Sequence, residues 1–67
     1  MKLTLDYIIE RVPLDQSIDI INFASLQSLY SGEAGDIHDF DDLDIEECEV
    51  MGIRTGLFGC LVIEVRP

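Results

Sequence analysis

Tryptophan is absent from this 67-residue chain, and only Lys2, Arg11, Arg54 and Arg66 carry a positive side-chain charge. Surfaces that grip phosphates are basic, so this shortage excludes direct nucleic-acid binding. It excludes attachment to an anionic membrane surface on the same ground. There is one histidine, His38, so no imidazole pair exists to build a transition-metal site. Two cysteines, Cys48 and Cys60, do not make a disulfide framework. The glycines at 32 and 35 and at 56 and 59 come in segments too short, and without the lysine, for a phosphate-binding loop. No apolar run reaches transmembrane length. The first ten residues resemble a secretory leader only in Lys2, because Asp6 and Glu10 interrupt the apolar run. The expectation is a cytoplasmic, reduced protein with no cofactor.

Acid is what the chain has in excess. Fourteen Asp and Glu residues give a formal net charge of −10, yet 48% of the residues are hydrophobic. Residues 1–67 suffice for one small domain, and a core of this size supplies only roughly 3–5 kcal/mol. A homodimer is therefore expected, burying apolar surface that one subunit leaves bare. Eight of the fourteen acids, Asp36, Asp39, Asp41, Asp42, Asp44, Glu46, Glu47 and Glu49, crowd into one stretch with no Lys or Arg among them. Ile37, Phe40, Leu43 and Ile45 are interspersed there. A self-repelling disordered tail lacks such anchors, so the stretch reads as a folded acidic rim with its carboxylates in water.

Along the chain, Leu3, Leu5, Tyr7 and Ile9 recur at period two, which predicts a strand over Lys2–Val12 with those four residues facing the core. Pro13 ends it and Pro13–Ser17 turns. Ser17–Phe23 reads as a second strand, paired antiparallel with the first. A helix over Asp15–Tyr30, capped by Asp15 or Ser17, is the rival reading. Residues 29–35 form a short strand or a loop. Asp36 can cap a single helical turn carrying Ile37, Phe40 and Leu43. Glu47–Thr55 is a strand with Cys48 and Val50 on one face, Glu49, Met51 and Ile53 on the other, and a bulge or close approach at Gly52. Residues 55–59 close a hairpin. Cys60–Arg66 is the last strand and a central one. The predicted fold is mainly β, with four to five antiparallel strands in a small sheet or barrel and one short helical turn.

Three chemistries compete for these residues. A calcium loop needs a glycine at its sharp turn and a terminal glutamate, and the run Asp39–Asp44 has neither. A Cys–His nucleophile needs an electropositive setting, and this one is negative, so both cysteines read as small buried hydrophobes and no enzyme is expected. A protein-binding acidic face remains, made of Asp36, Asp39, Asp41, Asp42, Asp44, Glu46 and Glu47. Coiled at ~1.5 Å per residue, the stretch would carry one charge per ~2.6 Å of axis. Duplex DNA carries one per ~1.7 Å. Such a rim would compete for the basic groove of a nucleic-acid-binding protein, steered by long-range attraction. Phe58, flanked by glycines, is the aromatic expected at such a contact surface. The bland counterpart is a charged face that serves solubility alone.

Tyr30, Gly32, Asp36, Ile37, Leu43, Val50, Ile53 and the run Leu61–Val65 together resemble the ending of small orphan proteins carried by phages and prophages of Gram-positive bacteria. The resemblance covers about residues 29–65, and it brings no catalytic residues with it. It implies, by size and acidity, an inhibitor of host defence or nucleic-acid enzymes, as anti-CRISPR proteins and DNA mimics are. The function expected from the sequence is thus a non-enzymatic acidic protein that binds a basic partner. The alternative is a small assembly module that dimerises through its sheet.

Overall fold

The computed structural model describes residues 2–67. Four strands, β1 (Ser17–Asn22), β2 (Ser28–Glu33), β3 (Glu49–Thr55) and β4 (Leu61–Arg66), form one open sheet in the order β2-β1-β4-β3. The fold is mainly β, as the alternation along the chain predicts. β1 pairs antiparallel with β2, and β3 with β4. The two hairpins join through a parallel β1–β4 pair, Ile18 beside Leu61 and Ile20 beside Ile63. That pairing departs from the expected all-antiparallel sheet. It makes β4 central, as its apolar run indicates, and leaves β2 and β3 as edges.

The N-terminal segment is the main correction. Instead of a strand over Lys2–Val12, the chain makes a five-residue helix, α1 (Leu5–Ile9), after an isolated bridge from Thr4 to Glu49. β1 therefore pairs with β2 and β4 rather than with an N-terminal strand. Leu5 and Ile9 sit four apart, a spacing that shares one face at either period. The discriminating residues are their neighbours. A strand buries Leu3 and Tyr7, whereas a helix brings Ile8 and Val12 beside Leu5. Leu3 and Tyr7 are 40% and 48% exposed. Ile8 and Val12 pack against the core. The N-terminal segment touches the outer edge of β3 only through Leu3 and Thr4, the Val50 N–H donating to the Leu3 carbonyl at 2.7 Å, and turns into the helix from there.

One face of the sheet carries the core. Ile18, Ile20, Ile63 and Val65 are buried against Leu5 and Ile9 of α1 and against Ala34, Ile37 and Cys48. The last three belong to the connection from β2 to β3. Because β1 and β4 are parallel, β2 and β3 are parallel too, and lie at opposite edges. The chain between them must cross the sheet, and a parallel connection needs about a dozen residues or more. It crosses with a 3₁₀ segment, η1 (Ala34–Asp39), followed by turns to Cys48. The N-cap of η1 is Glu33; Asp36 lies inside the segment rather than capping it.

The register of β3 slips between Val50 and Gly52, the bulge expected at Gly52. Its consequence is that Val50 beside Val65 and Ile53 beside Ile63 share the core face, against the expected alternation that set them on opposite sides. Strand β3 begins at Glu49 and β4 at Leu61, so Cys48 and Cys60 precede their strands rather than lying within them.

Leu5→Ala removes a fully buried side chain and is expected to cost about 2–5 kcal/mol, as much as a domain this small has to lose. Leu3→Ala, on the exposed side, is expected to cost about 1 kcal/mol or less. Urea unfolding of the two variants measures the difference. Equal losses would return the segment to a strand.

Candidate acidic interface

The eight clustered acids lie on the crossover or at its end. The apolar residues that alternate with them hold it down: Ile37 is buried, and Leu43 and Ile45 pack against the core cluster. Asp36, Asp39, Asp41, Asp42, Asp44, Glu46 and Glu47 are all exposed. The crossover is thus amphipathic by necessity, because one side must cover the sheet and the other meets water. Its charge spacing is not that of a continuous coil, since only the η1 portion is helical and residues 40–48 run through turns.

Asp44 organises the second half. Its Oδ1 accepts the Glu46 N–H at 3.1 Å, and its carbonyl accepts the N–H groups of Glu47 and Cys48 at 3.1 and 3.2 Å. The first half is braced by Tyr30 of β2. The Tyr30 hydroxyl donates to the Glu33 carbonyl at 2.8 Å, and its ring meets Phe40 edge-on, centroids 5.3 Å apart. Beside this lies a surface hollow of about 430 Å³, lined by Ile37, His38, Phe40, Asp41, Leu43, Asp44, Ile45 and Glu46. Its open lining mixes the carboxylates of Asp41, Asp44 and Glu46 with apolar side chains, which suits a cation carried on an aliphatic stem, such as a Lys or Arg side chain. Among the described residues no three His, Cys, Asp or Glu side chains converge to hold a metal ion.

The three arginines are spent elsewhere. Arg11 lies 3.8 Å from Glu10, Arg54 2.7 Å from Glu64, and Arg66 3.7 Å from Glu49. Arg11 and Arg66 also stack over the rings of Tyr7 and Phe23. Among the described residues, none of the seven exposed rim carboxylates from Asp36 to Glu47 has a salt-bridge partner. Two neighbours feel the resulting field. Burial, then Asp36, Glu33 and Asp39, push the Tyr30 phenol above its ordinary value. Burial, then Asp44, push the Cys48 thiol up, with Lys2 partly opposing. A thiol held protonated in a buried, negative setting is a poor nucleophile.

Phe58 lies apart from the rim, at the tip of the β3–β4 hairpin. Within the tip the Gly56 N–H donates to the Cys60 carbonyl at 2.6 Å, and a Cβ at Gly56 would meet Val62 at 2.9 Å. Phe58 is fully exposed, and its φ of 59° is left-handed. That conformation costs a non-glycine residue roughly 1–2 kcal/mol, and nothing in the fold's packing recovers it. Leu57 beside it is 80% exposed. The sequence signal for Phe58 was its glycine neighbours. A second small hollow, about 220 Å³ and lined by Lys2, Leu3, Thr4 and Tyr7, escaped sequence reasoning because a strand reading placed Leu3 and Tyr7 inside.

No family model, characterised protein or solved structure matches the chain. No helix among the described residues is long and apolar enough to cross a membrane.

The raised thiol and phenol give a pH signature. The unfolded chain loses these protons first, so stability is complete below the ordinary thiol value of 9.0 and falls as pH rises beyond it, with a further fall beyond 10.0 from Tyr30. Urea titrations across the alkaline range measure this. Asp44→Asn, which keeps the oxygen that accepts from Glu46, is expected to lower the Cys48 thiol value; a Cys48 titration unmoved by that change would remove Asp44 as a cause.

Proposed function

We propose that this chain is a non-enzymatic interaction protein whose acidic crossover binds a basic protein, of the kind that itself grips nucleic acid. The observation that carries the reading is the segregation of charge. Seven exposed carboxylates from Asp36 to Glu47 lie on one connection, and each salt bridge of the described residues engages an acid outside those seven. A face whose carboxylates lack salt-bridge partners keeps most of its field for a partner, with Lys2 as a cation acting near its Asp44 end, and such fields accelerate encounter. The hollow beside Phe40 gives the face a place to seat a long cationic side chain. The likeness to phage-borne proteins favours an inhibitor that occupies its target's phosphate-binding groove. Mimicry of nucleic acid would here reside in the field, since the carboxylates follow turns rather than a regular helix.

The test replaces Asp39, Asp41, Asp42, Asp44, Glu46 and Glu47 by Asn and Gln. Capture of basic nucleic-acid-binding proteins is expected to fall by orders of magnitude, and the salt dependence of capture to flatten. The melting temperature is expected to hold or rise, because neighbouring like charges repel one another in the folded state. Unchanged capture with unchanged salt dependence would leave solubility as the role of the acids.

A further inference from the structure

We infer that the β3 edge, with Phe58 at one end and the Leu3–Tyr7 hollow at the other, is a self-complementary interface that joins two copies of this chain about a two-fold axis.

Two chains of net charge −10 repel, so contact costs least where acids are few, and in this interface they are limited to Asp6 and Glu49 beside the Leu3–Thr4 end. Residues 20–32 and 50–63 are the long acid-free stretches. The first ends at the β2 edge, which runs into Glu33 and shows one large exposed apolar residue nearby, Leu26. The second shows four: Met51, Ile53, Leu57 and Phe58. The central strand β4 is flanked on both sides and can accept no further strand.

The outer edge of β3 is covered only at its beginning. Thr4 bridges Glu49, and the Val50 N–H donates to the Leu3 carbonyl. From Met51 to Thr55 the edge has no strand beside it among the described residues. An unpaired edge with apolar side chains is a template for another strand. A two-fold axis at Ile53 runs two β3 strands antiparallel, so that Met51 faces Thr55 of the second copy and the two Ile53 side chains oppose each other. Each hairpin tip then continues past the free stretch to the other copy's Leu3–Thr4 segment. That segment lines the Lys2, Leu3, Thr4 and Tyr7 hollow. Phe58, left-handed and fully in water in one chain, thereby gains a receptor in the other. Knob and hollow lie at opposite ends of one strand, as two-fold symmetry requires.

This interface stands independently of the acidic-face reading. It is tested by sedimentation equilibrium of the full chain across the micromolar range. The expected species has twice the 7.5 kDa chain mass. Phe58→Gly keeps the left-handed turn, so the subunit folds, and it is expected to raise the dimer dissociation constant at least about tenfold. Ile53→Asp, on a half-exposed edge position, is expected to give monomer with an unchanged circular dichroism spectrum. Leu3→Ser is expected to weaken the dimer, and to add little once Phe58 is gone, because contacting residues are not additive. Monomer mass for the native chain throughout the range overturns the proposal. So does a dimer that Phe58→Gly and Ile53→Asp leave intact, or one that Phe58→Gly breaks while Leu3→Ser does not touch it.

Discussion

The parallel pairing of β1 with β4 is the constraint from which the rest of this structure follows. Two antiparallel hairpins laid side by side need no long connection of their own. Joined through β1 and β4, they leave β2 and β3 at opposite edges, and because the inner pair is parallel the end of β2 and the start of β3 also lie at opposite ends of the strands. Residues 34–48 must then cross the sheet, and in crossing they become its cover. Ala34, Ile37 and Cys48 complete a core that Leu5 and Ile9 alone could not close. The crossing also explains why the most acidic part of the chain is interrupted by Ile37, Leu43 and Ile45. Those residues anchor a strap, and the carboxylates between them are what is left for water.

Charge and apolar exposure are therefore separated by the topology. The acids collect on the strap, while the β3–β4 hairpin, acid-free from Val50 to Ile63, carries the exposed Met51, Ile53, Leu57 and Phe58. The three arginines pair with Glu10, Glu49 and Glu64 and not with the strap between Asp36 and Glu47. Exposed pairs of this kind contribute under about 1 kcal/mol each, so they matter more for where they leave charge unbalanced than for stability. Tyr30 and Cys48 register the imbalance in their raised proton affinities. A basic protein and a second copy of the same chain would thus approach different parts of the surface.

Phe58 is one of two non-glycine residues with a left-handed backbone among the described residues, Leu26 with φ of 62° being the other, and it is the more exposed of the two. Gly59, with φ of 78°, takes the second left-handed position at no steric cost. Phe58 takes the first with a side chain that touches nothing, and the Gln16 side chain ties the tip to the body through the Gly59 carbonyl at 2.9 Å. A residue that departs from local preference without a packing reason is a site where function is expected to supply the reason.

Much of this was legible from the order of residues. β-branched alternation in Leu61–Arg66 specified a strand, because side chains that alternate between two faces stabilise only one period. In Ser17–Phe23 the alternation was weak and a helix over Asp15–Tyr30 competed with it; pairing with β2 and β4 decided for the strand. The largely apolar character of Leu61–Val65, with Glu64 its one polar residue, specified a central position, and Gly52 marked the bulge. The acid count and its clustering specified an exposed negative face with apolar anchors. What the sequence left open were choices between equal local options. Leu5 and Ile9 share a face in a strand and in a helix, and only the crowding of Ile8 and Val12 against the sheet selected the helix. The bulge moved Ile53 to the face of Val50, a change of parity that no alternating pattern records. The parallel union of β1 and β4 depends on contacts between residues more than forty positions apart, Ile18 with Leu61 among them. Local propensity is silent on such pairs, and packing of the whole chain decided them.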